Sequence, residues 1–223
     1  MHIKDIEIDK ADIDKRNAFN ISTVLIDLLW KEPFYSRILR SLNKVETDKI
    51  STAGVGIVNN NITLFWNRNF FASLKHKEVL GVLKHECLHI IFKHITERKR
   101  EPFLLWNYGT DLAINSTIPR NELPKEALIP GEFIPKLKRK DKKNMSDEMI
   151  ATYGKLRNLI KNFPKNKTAE YYFLHLNNDE EIRKMIMDST EGNISGEAGS
   201  FSFDDHTAWD NIDSKDAEYL NEK

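Results

Sequence analysis

The chain has 223 residues, 40% hydrophobic and 30% charged, and its 34 basic residues balance 34 acidic ones to a formal net charge of zero. That length fits one domain, or one domain with appendages, and is enough to bury a core without covalent staples. Neutrality removes any global electrostatic argument for nucleic acid. The single cysteine, Cys87, excludes an intrachain disulfide framework. No run approaches the roughly 18 apolar residues of a membrane span. The opening MHIKDIEIDKADIDK lacks the apolar stretch of a secretory signal, so the expectation is a cytoplasmic protein with no membrane association.

Residues 11–43 read as helical, because Ile13, Phe19, Ile21, Val24, Leu25, Leu28 and Leu29 recur at three- and four-residue steps. Pro33 breaks this helix and FYSRILRSL starts another. Two short β-rich runs, Val55–Val58 and Ile62–Trp66, flank Asn59-Asn60-Asn61 and predict a hairpin. The strongest helix spans about 75–99, with Val79, Leu80, Val82, Leu83, Cys87, Leu88, Ile90, Ile91 and Ile95 giving it a wide apolar surface. A second helix is expected from near Trp106 to Ile118, stopped by Pro119. Residues 119–135 hold four of the seven prolines and read as an extended connector. The basic run KLKRKDKK, residues 136–143, comes next, and then two amphipathic stretches, Asp147–Asn162 and Thr168–Met187. The last 36 residues carry ten acidic and two basic residues, and EGNISGEAGS within them has linker composition. The expected layout is a domain over 1–187, with a lysine-rich helical insertion at about 136–165, and an acidic tail over 188–223.

The chemistry concentrates in His85-Glu86-Cys87-Leu88-His89, an H-E-x-x-H pattern inside the strongest helix. At about 100° per residue the two histidines share one helical face, one turn apart, so both imidazoles can address one zinc ion. Glu86 lies beside that face, where its carboxylate can reach an activated water without ligating the ion. The pentapeptide alone also occurs on plain surface helices. The apolar setting favours the metal reading, because three ionisable groups buried there without a partner are costly. Cys87 points off the ligand face and reads as a small core residue.

A catalytic zinc takes three protein ligands and keeps one open position. His94 lies nine residues after His85, and on a continuous helix that turns it about 180° away. Metzincins turn the chain with a glycine after the second histidine, and HIIFKHITE has none, so His94 is expected outside the ligand set. Asp111, 22 residues after His89 on the next predicted helix, is the better third ligand. Asn107, Asp111 and Asn115 form a polar stripe at four-residue spacing, which makes the two asparagines candidates to orient Asp111. Glu97 and Glu101 are fallback ligands.

VLKHECLHIIFKH, WNYGTDLAINSTIP, ELPKEALIP, TAEYYFLHL and DDHTAWD together resemble the metallopeptidase domain of the DUF2201 N-terminal type, over roughly residues 50–135 and 168–210. The resemblance implies an α+β, zincin-like fold, with the H-E-x-x-H helix packed on a small hairpin or sheet among further helices. It implies Zn2+ held by His85, His89 and Asp111, with Glu86 as the catalytic glutamate. It also implies a VWA-like or ATPase partner, because a VWA-like domain often follows in that family. The sequence departs from the pattern in its insertion at about 136–165, and it ends just after DDHTAWD.

The expected function is zinc-dependent hydrolysis of a protein or peptide substrate, with Glu86 as general base. His206 and Tyr108 are candidate oxyanion donors. The tail is a candidate cover for the cleft, with His206 or Asp205 reaching the metal. Two alternatives stand beside this reading: a catalytically silent zinc scaffold or adaptor, and a nucleic-acid role for residues 136–143, which is disfavoured because most such runs are solvated loops.

Overall fold

The computed structural model describes residues 10–191, apart from 133, 135, 138, 143 and 144. The acidic tail, with Asp205 and His206, lies outside the described residues. The architecture is α+β, mostly helical, with one small three-stranded sheet.

The first helical region divides in three: α1 Lys10–Ala18, α2 Ile21–Lys31 and α3 Pro33–Ser41. The first break is one that apolar periodicity does not mark. Asn20 leaves the helix and its side chain accepts a hydrogen bond from the Ser22 amide at 2.9 Å, capping α2. Pro33 opens α3, where its missing N–H costs nothing.

Strands β1 Asn43–Glu46, β2 Ala53–Val58 and β3 Asn61–Trp66 form a sheet in the order β1-β3-β2. The expected hairpin is β2–β3, antiparallel, with Val58 opposite Asn61. Asn59 and Asn60 take φ of 48° and 61°, the left-handed pair that a two-residue turn matching strand twist requires. Strand β1 joins β3 in parallel and had no counterpart in the sequence reading.

Helices α4 Arg68–Ser73 and α5 His76–Ile91 follow, and α5 packs on α2, α3, β2 and α6 Phe103–Asn115. Helix α5 is shorter than periodicity predicts. It ends at Ile91, and Lys93 takes φ 56°, reversing the chain where a continuous helix was expected. Helix α6 both starts and stops three residues earlier than expected.

The expected extended connector over 119–135 is partly turned and partly buried. It opens with a 3-10 turn, Arg120–Glu122, and buries Leu123, Leu128, Ile129 and Ile134. Beyond it lie α7 Arg139–Lys142, α8 Asp147–Asn162, α9 Ala169–Asn177 and α10 Glu180–Glu191, so the second amphipathic stretch is two helices. None of the described helices is long and apolar enough to cross a membrane.

Two cores result. One gathers Val55, Leu64, Trp66, Val79, Val82 and Leu83 around the sheet and α5, and the other gathers Leu105, Trp106, Leu156, Ile160, Tyr172 and Ile182 around α6 and α8–α10. Helix α6 serves both, with Ile114 in the first and Leu112 in the second, which places Asp111 at their seam.

Close backbone approaches hold this arrangement. A Cβ on Gly81 of α5 would lie 1.8 Å from the Glu122 carbonyl oxygen, and one on Gly109 of α6 would lie 2.9 Å from that of Ala169. In both cases the obstacle is backbone, which cannot swing aside. Gly81→Ala should therefore destabilise the fold by about 1–3 kcal/mol or more, despite the better helix propensity of alanine. A urea midpoint equal to or above that of the parent protein would refute this.

Candidate metal centre

On α5 the four-residue spacing brings His85 and His89 together, with their Nε2 atoms 2.9 Å apart. From α6, Asp111 presents Oδ1 at 3.5 Å from Nε2 of His85 and 3.4 Å from Nε2 of His89. All three side chains have 0% exposure. Among the described residues these three form a group whose donor atoms converge closely enough to hold one metal ion.

The outer contacts aim the rings. Asn115 accepts at Oδ1 from the Nδ1 side of His85, at 2.8 Å, while its Nδ2 donates to the Leu128 carbonyl at 3.0 Å. The Leu128 carbonyl can only accept, so it fixes which end of the amide faces the ring. His85 therefore carries its proton on Nδ1 and turns the Nε2 lone pair to the centre. This corrects the expectation that both asparagines orient Asp111: Asn115 orients His85. Asn107 is buried, and neither atom of its amide has a hydrogen-bond partner among the described residues.

His94 requires a second correction. The reversal at Lys93 folds it back, so that its backbone N–H donates to the His89 carbonyl at 3.0 Å and its ring is buried. Its Nδ1 lies 3.4 Å from Nδ1 of His89, on the side away from Asp111. It is outside the three-donor group, as expected, but for a different reason. No glycine was needed to turn the chain, because Lys93 itself takes the left-handed conformation. Burial, and then the positive charge of Arg98, push the His94 imidazole down to a pKa of about 3, which keeps it neutral.

Glu86 is fully buried beside His85. Cys87 turns away, with Sγ 3.8 Å from the Tyr35 carbonyl oxygen, and burial followed by the Glu86 charge raises its thiol pKa. Tyr108 sits in the second core. The fallback ligands are engaged elsewhere: Glu97 is exposed and paired with Lys93 at 2.7 Å, and Glu101 accepts from the Phe103 amide at the start of α6.

Lys84, unremarked in the sequence, is 5% exposed in the middle of α5. It pairs with Glu32 at 2.5 Å and with Glu122, tying α5 to the start of α3 and to the 3-10 turn. A lysine within an otherwise apolar helical run was the available signal.

These features define an α+β domain with a buried histidine–histidine–aspartate group able to hold a metal ion. The model of the DUF2201 N-terminal family, described as a putative metallopeptidase domain, matches residues 22–219, and the chain belongs to that family. No curated protein and no solved structure matches it.

Proposed function

We propose that this chain is a zinc-dependent peptidase of the zincin type, with zinc held by His85, His89 and Asp111. The observation that carries this reading is the number of converging donors. A structural zinc is enclosed by four protein ligands, whereas a catalytic one has three and an open position, and three donors converge among the described residues. The donor chemistry fits the ion. A tetrahedron with bonds of about 2.0–2.1 Å has edges of about 3.3 Å, close to the 2.9, 3.4 and 3.5 Å separations found here.

Bound zinc supplies Lewis-acid activation of water and of a substrate carbonyl. The chain supplies the rest. Asn115 holds the His85 ring in its metal-binding tautomer. Glu86, next to a ligand yet outside the donor group, takes the proton of the attacking water and returns it to the departing amine. The test is turnover of casein or a peptide by the zinc-loaded chain, with Glu86→Gln as control.

One observation favours a second reading, a zinc scaffold without turnover: His85, Glu86, His89 and Asp111 all have 0% exposure. A substrate must displace part of the chain to reach them. Stoichiometric zinc with no turnover of any peptide would select the scaffold.

Replacing Asn115 tests the positioning of His85 under either reading. Asn115→Ala should weaken zinc affinity by about 10- to 100-fold, as loss of an orienting partner typically does. Unchanged affinity in a competition titration with a chromophoric chelator would remove Asn115 from that role.

A further inference from the structure

A cavity of about 240 Å³ is lined by His94 together with Phe92, Ala113, Thr117 and residues 166–169. It is smaller than the roughly 300–1,000 Å³ of sites that enclose whole drug-sized ligands, and suits a single side chain or chain end. Phe92, Ala113 and Ala169 make part of its wall apolar, while Arg98 and Lys167 supply cations.

The polar groups are arranged to receive negative charge. Arg98 and its neighbour Arg100 share one carboxylate, Glu170, at 2.5 and 3.9 Å. Lys167 has its ammonium 5.8 Å from the centre of the Tyr171 ring and, among the described residues, no carboxylate partner. His94 adds an independent observation. Its Nδ1 is turned to Nδ1 of His89, 3.4 Å away, which leaves Nε2 for another partner. That atom has no hydrogen-bond partner among the described residues, its side chain is 2% exposed, and its ring forms one wall of the cavity. The lining thus offers the Nε2 atom of a buried imidazole, an ammonium without a carboxylate partner among the described residues, and apolar surface from Phe92, Ala113 and Ala169.

We propose that this cavity is a carboxylate-binding subsite, which selects peptides that place a negatively charged group beside the metal centre. The proposal rests on the peptidase reading for its ligand being part of a peptide. An acidic side chain and a free C-terminal carboxylate offer the same chemistry, and the test separates them.

Binding is measured by calorimetry on the full-length, zinc-loaded Glu86→Gln chain, so that no peptide is consumed. Two pairs of probes are compared: acetyl-Ala-Ala-Glu-Ala-Ala-amide against its Gln counterpart, and acetyl-Ala-Ala-Ala with a free carboxylate against the same peptide amidated. The carboxylate member of at least one pair should bind about tenfold tighter, since charge-assisted hydrogen bonds exceed neutral ones, and the pair that responds names the source. Lys167→Gln, at an exposed position, should remove most of that difference, while Lys125→Gln, also exposed and outside the cavity, should preserve it. Equal affinity within both pairs overturns the subsite, as does a preference that Lys167→Gln leaves intact. A Lys167-dependent preference, with no turnover of casein or any peptide by the zinc-loaded parent protein, supports the subsite and removes the peptidase reading. Cleavage without a preference does the reverse.

Discussion

Replacing Glu86 with glutamine should leave zinc stoichiometry unchanged and lower peptide turnover by about 100- to 10,000-fold, the range that a positioned general base contributes. The side chain is fully buried and next to His85, so an isosteric amide preserves packing while removing the only feature the mechanism uses, the capacity to take a proton. Two results would count against the role. Turnover above about a tenth of the parent rate would show that another group moves the proton. Loss of zinc together with activity would make Glu86 part of the ligand set rather than its neighbour. The comparison needs both readouts on one preparation, elemental zinc and rate.

The second large effect concerns the metal itself. His85→Ala and Asp111→Ala should each purify with little or no zinc, while the parent protein and His94→Ala carry close to one ion per chain. Each of the first two substitutions removes one of three converging donors. His94→Ala removes a ring whose Nδ1 faces Nδ1 of His89, outside the three-donor group. The same series predicts thermal stability. A ligand at a hundredfold excess over its dissociation constant stabilises the native state by about 2.7 kcal/mol. A chelator should therefore lower the melting temperature of the parent and of His94→Ala, and leave that of Asp111→Ala where it is. A parent protein that neither carries zinc nor takes it up would sink the centre as proposed. A His94→Ala protein without zinc would move His94 into the ligand set.

Features set by local chemistry were legible. The H-E-x-x-H face of α5 follows from helical period, and the convergence of Asp111 with it follows from a polar stripe on a helix with few charges. The β2–β3 hairpin follows from asparagines that tolerate positive φ. Strand β1 was not legible, because a four-residue strand at the sheet edge carries little alternation and pairs with β3 rather than with β2, the next strand in the chain. The end of α5 was missed because Lys93 carries no glycine-like signal, and its left-handed turn accompanies the burial of His94 against His89 and Trp106.

The sequence by itself determined the spacing of His85 and His89 on α5 and the helix that brings Asp111 to them. Each of these depends on periodicities that repeat within one element. Only the tertiary structure decided what orients those side chains. Asn115 reaches His85 across 30 positions and Leu128 across 13, and His94 touches His89 while lining the same cavity as Lys167. Those pairings come from packing α5, α6, α9 and a buried connector around two cores. Hydrogen-bond direction and burial are set there by neighbours distant in the chain, which no local pattern encodes.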